Sequence, residues 1–166
     1  KEGADCLDVG GESTRPGATP VSEEEELRRV IPVIEALVPL LPIPISIDTT
    51  KASVAAAAIQ AGARLINDIS GGSDPKMVQL VKETGTTLCV MHMQGSPSTM
   101  QINPSYPDGI VPELILWFQR RIDALLKAGI ASHKIWIDPG IGFGKAVERN
   151  LEILRRLHAF QTLGYP

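Results

Sequence analysis

Asp8, Asp48, Asn67 and Asp138 each stand in or at the end of a short apolar run, in CLDV, ISID, LIND and WID. Carboxylates and an amide gathered on one surface admit three kinds of chemistry. They can bind Mg2+ or Ca2+ through oxygen. They can cap the turns after the runs, a reading open above all for Asp8 and Asp68. They can also grip a flat, donor-rich heterocycle. A 2-amino-4-oxo pyrimidine ring offers adjacent N–H donors that a carboxylate accepts in the paired geometry otherwise made with arginine. Asn67 suits both donors and acceptors of such a ring, and Met91 and Phe143 can close over its faces. His92, His133 and His158 are scattered, so a zinc site is not expected.

The stretch IDPGIGFGK, residues 137–145, invites a phosphate-loop reading and fails it. A Walker loop needs G-x-x-x-x-G-K-[ST], and G-I-G-F-G is not G-x-G-x-x-G. Its aspartate would repel phosphate. The expectation is that these glycines let backbone approach a flat ligand, with Asp138 on the donor edge, Phe143 touching the ring and Lys145 on the rim.

These residues need elements that place them together. Strands are predicted near 6–9, 44–48, 64–68, 87–92 and 134–138. Helical signals alternate with them. Ser22-Glu23-Glu24-Glu25 reads as a capping box, followed by apolar residues at helical spacing from Leu27 to Val38. A second helix covers about 51–61 and stops at Gly62. A third starts at Asp74-Pro75 and stops at Gly85. A stripe from Leu114 to Leu126 ends at Gly129, and Leu151, Leu154 and Leu157 mark a last helix.

Alternating strands and helices imply parallel βαβ units. The strand-to-helix loops are longer and carry the unusual residues, so the chemistry clusters at the carboxyl ends of the strands. Side chains alternate faces along a strand. One face is aliphatic, for helices; the other carries Asp8, Asp48, Asn67, Met91 and Asp138. Polar residues on the same side of five strands favour a barrel interior over a sheet covered on both faces.

The chain has 166 residues and a net charge of −3, which fits one globular domain or a large piece of one. Mild acidity gives no footprint for nucleic acid or an anionic membrane, and aromatics are few. Cys6 and Cys89 lie in apolar runs and read as reduced core thiols, which fits a cytoplasmic setting. The longest apolar stretch, residues 36–47, is too short to span a bilayer and holds three prolines. The chain opens with Lys-Glu-Gly and closes at GYP, and both ends are expected to continue into a longer protein.

Together, GADCLDVGGESTRPGA, ISIDTTKASVAAAAIQAGARLINDISGG, VMHMQGSPSTMQ and IDPGIGFGKAVERNLEILRRL resemble dihydropteroate synthase of folate biosynthesis, over essentially the whole chain. The resemblance implies an α/β fold, a (β/α)8 TIM barrel. Residues 1–166 would be an incomplete pterin-binding domain running from about strand 2 through helix 6. It would lack the first strand and the last two, and be inactive alone. It implies condensation of 6-hydroxymethyl-7,8-dihydropterin diphosphate with p-aminobenzoate, in an enzyme class that is a sulfonamide target.

By the same resemblance, Asp48, Asn67 and Asp138 bind pterin, and Met91 and Phe143 make apolar contacts. Ser13, Thr14, Arg15 and Pro16 lie on a mobile loop that forms the p-aminobenzoate site and meets diphosphate through Arg15. Asp48, Asp138 and Arg15 carry the catalytic electrostatics. Mg2+ is the implied cofactor, with no ligand in this stretch, and the full-length protein is implied to be a homodimer. A methyltetrahydrofolate-dependent corrinoid methyltransferase of the same barrel type, or a non-catalytic homologue or fragment, are the alternatives.

Overall fold

A computed structural model describes residues 3–15 and 17–166. Pro16, one of the expected site residues, lies outside the described residues. Five strands run β1 (Leu7–Gly10), β2 (Ile45–Asp48), β3 (Leu65–Asp68), β4 (Thr87–Met91) and β5 (Ile135–Asp138). Helices α1 (Glu23–Leu37), α2 (Ala52–Ala61), α3 (Pro75–Thr84), α4 (Ile110–Ala128) and α5 (Val147–Arg155) follow them in turn. All strand pairs are parallel and the spatial order is the chain order. Successive helices pack against one another. A doubly wound sheet reverses its strand order partway. Here no reversal occurs, and the sheet is an arc of a (β/α)8 barrel.

The predicted strands are present, each within one or two residues of the expected ends. Local signals place the helix ends as well. Ser22 Oγ accepts the Glu25 N–H at 3.2 Å. The reciprocal arm of the capping box is replaced, because the Glu25 carboxylate turns to Arg28 and Arg29. Asp74 caps α3 through the Lys76 N–H at 2.9 Å, with Pro75 in the first turn. α4 begins at Ile110, a turn before the predicted stripe, since Pro112 is tolerated where the amide has no helical partner.

The core lies between sheet and helices. Ile45, Ile47, Ile66, Leu88, Val90 and Ile135 from the outer strand faces are buried against Val30, Ile34, Val54, Leu114 and Phe118. The last helix marked by Leu151, Leu154 and Leu157 is present as α5 and the turn after it; these three leucines are exposed, and α5 buries Ile153. On the concave face Trp136 is exposed, whereas Leu65 and Met91 are buried. The β5 edge makes a hydrogen bond outside the sheet: Ile137 N donates to Pro166 O at 2.8 Å. Among the described residues, no helix is long and apolar enough to cross a membrane.

Candidate active site

The pairing register fixes which side chains share a layer. Gly10, Asp48, Asn67, Cys89 and Trp136 are successive partners across all five strands. Partners in a parallel sheet face the same way, so Asp48 and Asn67 stand side by side on the concave face. Met91 pairs with Asp138 one layer closer to the carboxyl ends, about 6–7 Å higher at roughly 3.3 Å per residue. The parity expectation therefore holds for Asp8, Asp48, Asn67, Met91 and Asp138. Asp68 is the exception on the aliphatic face. Fully buried, it accepts the Ser70 and Gly72 amides at 2.8 and 2.9 Å and closes the turn after β3. Asp8 is no cap; its carboxylate accepts Asn67 Nδ2 at 2.9 Å and so orients that amide.

Asp48 sits in an acidic, partly desolvated corner. Burial, reinforced by Asp8, Glu26, Asp68 and Glu12, pushes its carboxyl up to about 7. The expectation that it is simply anionic is thus modified: near neutrality the unliganded site holds both forms. Gly10 leaves it room, since a Cβ there would lie 3.3 Å from Asp48 Cβ. Asp138 uses one oxygen to accept the Gly140 N–H at 2.8 Å.

A cavity of about 670 Å3 opens at the carboxyl ends of the first four strands. Ser13, Thr14, Asp48 and Met91 line it, together with Glu12 and Glu26. Asn67, Asp138, Arg15 and Phe143 stand outside its walls. The chain thus brings the first loop to Asp48 and Met91, while their register partners Asn67 and Asp138 stand beside them on the concave face. Ser13 and Arg15 are exposed.

The 139–146 loop departs most from its sequence reading. Lys145 is not on the rim. It is 3% exposed, and its Nζ donates to the carbonyls of His92 at 3.0 Å and Phe143 at 2.7 Å. Burial lowers its pKa to about 8. Two of its glycines, Gly140 and Gly144, serve close approach of chain to chain. Gly140 has φ +68°, and a Cβ there would meet His92 O at 2.2 Å. Gly144 abuts Gln94 and Met100, and its carbonyl accepts the Tyr106 hydroxyl at 2.8 Å. Phe143 is half-buried on the outside of this clamp.

Sequence reasoning missed Glu26 and Lys51. Glu26 is fully buried in the first turn of α1, and Lys51 bridges it to Glu12. A signal existed, for Glu26 precedes Val30 and Ile34 at four-residue spacing and so falls on the buried stripe. Burial also disables His92 as a base: its ring packs edge-on to Trp117, and desolvation first, with Lys145 second, lowers its pKa to about 4.

Residues 1–166 match the family described as pterin binding enzyme. The chain is 47% identical over 164 residues to the dihydropteroate synthase of Escherichia coli (strain K12), covering 99% of this chain and 58% of that protein. Its structure is similar to Yersinia pestis dihydropteroate synthase in a sulfonamide drug complex, with a TM-score of 0.95 and 44% identity over 99% of this chain and 59% of that one. It is also similar to Burkholderia cenocepacia dihydropteroate synthase complexed with 7,8-dihydropteroate, with a TM-score of 0.87 and 51% identity over 96% of this chain and 57% of that one. The chain spans somewhat more than half the length of each of these relatives.

Proposed function

This chain belongs to the pterin-binding enzyme family, and from that premise we propose that the full-length protein is a dihydropteroate synthase. It joins 6-hydroxymethyl-7,8-dihydropterin diphosphate to p-aminobenzoate. The bond from the pterin methylene carbon to the diphosphate oxygen breaks. The amine nitrogen bonds to that carbon, then loses a proton, and pyrophosphate leaves. The observation that carries this reading is the shared concave face of Asp48, Asn67 and Asp138, with Asp48 and Asn67 adjacent in register.

Asp48 and Asp138 accept the donor edge of the ring, and Asn67, held by Asp8, completes its polar recognition. Met91 and Phe143 supply apolar contact. Carboxylates near the methylene favour the positive charge that develops as the C–O bond breaks. Because Asp48 titrates near neutrality when empty, N–H donors that favour its anion make pterin binding release a proton around pH 7. Ser13, Thr14, Arg15 and Pro16 are assigned to the aryl amine and diphosphate; their support is the cavity wall that Ser13 and Thr14 share with Asp48.

Among the described residues, no group of three His, Cys, Asp or Glu could hold a metal ion. Magnesium is the proposed cofactor of the full-length protein, and its ligands are proposed to lie outside residues 1–166. The remaining strands of the barrel are proposed to cover Trp136 and the exposed leucines of α5, so residues 1–166 alone are expected to be inactive and to aggregate.

The test is a coupled-product assay on the full-length protein, with calorimetry of pterin binding. Asp138→Asn should weaken binding by about 1.5–3 kcal/mol, the value of a charge-assisted hydrogen bond. Absence of 7,8-dihydropteroate among the products of the unaltered protein would overturn the assignment.

A further inference from the structure

A chain of charge, buried at Glu26 and half-buried at Lys51 and Glu12, runs beside the cavity, and no substrate contact proposed above uses it. Glu26, in the first turn of α1, is fully buried, and its Oε2 is bonded to Lys51 Nζ. Lys51 Nζ also donates to Glu12 Oε2. Glu12 Oε1 in turn accepts the Val21 N–H at 2.9 Å. Gly11 is part of the same packing, because a Cβ there would lie 2.8 Å from Val30 Cγ1 and 2.9 Å from Glu26 Cγ.

The topology gives this chain its meaning. Glu12 and Val21 bracket the segment that carries Ser13, Thr14 and Arg15, so one carboxylate closes the neck of the β1–α1 loop. Lys51 follows Asp48 by three residues and stands immediately before the first residue of α2. A single ammonium therefore joins a core helix, the loop after β1 and the loop after β2. Glu12, Glu26, Asp48, Ser13 and Thr14 all line one cavity, and Glu26 Oε1 has no hydrogen-bond partner there. Burying a carboxylate is unfavourable unless it is paired, and an apolar residue at position 26 would pack without that penalty. The arrangement fixes a position more than it adds stability.

We propose that Lys51 is a positioning residue: through Glu12 it sets the β1–α1 loop against the Asp48 wall, and so shapes the subsite for the aryl amine substrate without touching it. The inference rests on the synthase reading, and its test separates the two.

Lys51→Met alone leaves Glu26 buried and unpaired, so the informative variant is Lys51→Met with Glu26→Gln, made in the full-length protein. The KM for p-aminobenzoate should rise about tenfold, which corresponds to about 1.4 kcal/mol. The pterin Kd measured without the amine should stay within about threefold, a difference under roughly 1 kcal/mol. Lys51→Arg, which can still bridge two carboxylates, should restore most of the KM. In the double variant the Val21 amide should exchange faster with solvent, a readout that needs no activity. An unchanged KM with an unchanged Val21 exchange rate overturns the proposal. So does a parallel rise in KM and pterin Kd together with a lowered Tm, which marks a merely structural role. If the unaltered protein makes no dihydropteroate, the synthase reading falls, and the Lys51 linkage then stands or falls on Val21 exchange.

Discussion

The loops after β1 and after β5 have similar compositions: each holds proline, several glycines and one cation, Arg15 in residues 11–21 and Lys145 in 139–146. Their environments are opposite. Arg15 is exposed and the loop around it is fastened at its neck, through Glu12 to Val21 and Lys51. Lys145 is buried, and its loop is stitched along its length. Gln101 Nε2 donates to Gly142 O at 2.9 Å, Tyr106 to Gly144 O at 2.8 Å, and the Gly142 amide donates to Asn150 Oδ1 at 2.9 Å. Glycine content therefore says nothing about how tightly a loop is held. Glycine leaves room either for solvent or for another stretch of backbone, and only the neighbour distinguishes the two.

Alanine at one glycine of each loop tests this contrast most severely. Gly140→Ala puts a Cβ 2.2 Å from His92 O at φ +68°. Overpacking and the left-handed backbone together should cost about 2–5 kcal/mol. Gly17 has φ +77° but no atom within 4 Å of its virtual Cβ. Gly17→Ala should cost only the backbone penalty, about 1–2 kcal/mol or less where the exposed chain relaxes. Thermal melting of the two full-length variants decides it, and equal losses would dissolve the distinction between the loops.

The cations should dissociate stability from function. Lys145→Met removes two hydrogen bonds from a buried ammonium, and a loss of about 1.5–3 kcal/mol is expected. Arg15→Ala should change stability by no more than about 0.5 kcal/mol, as exposed substitutions do, while turnover falls sharply if the loop serves diphosphate and amine. A large melting shift for Arg15→Ala with normal turnover would reverse the roles assigned to the two loops.

A smaller effect should separate Asp48, at the foot of the first loop, from its surroundings by pH. Its folded pKa of about 7 lies above the ordinary 3.8. The folded state thus binds the proton more tightly, so the contribution of Asp48 to stability is full below about pH 4 and is lost as pH rises through 7. Asp48→Asn should abolish that loss. The variant's Tm relative to the unaltered protein should be higher at pH 8 than at pH 4. About 1 kcal/mol of relief corresponds to roughly 2–4 °C in a domain of this size. A difference independent of pH would show that Asp48 has the same pKa in the folded and unfolded states.

Much of the site's orientation is legible in the chain itself. Two-residue alternation in ISID, LIND and WID places Asp48, Asn67 and Asp138 on one face and the isoleucines on the other. The same alternation puts Asp68 opposite Asn67, which is why one binds a turn and the other faces the concave side. Helix ends follow from Ser22, Asp74, Gly62, Gly85 and Gly129, because capping and left-handed stops depend on neighbours a few residues away. These features are periodic or local, so a linear sequence carries them.

What the sequence could not decide is where charges go once distant loops meet. Lys145 reads as a rim cation and becomes a buried staple, because its partner carbonyl on His92 lies 53 residues away. Glu26 directly follows the acidic capping segment and has no role in the sequence reading, yet it is a buried anchor because Lys51, 25 residues on, arrives beside it. Leu151, Leu154 and Leu157 have helical spacing, yet they are exposed, and the α5 side chain that enters the core is Ile153. Periodicity states that a face exists; only the packed arc determines which neighbour covers it and which carboxylates are left to share a cation.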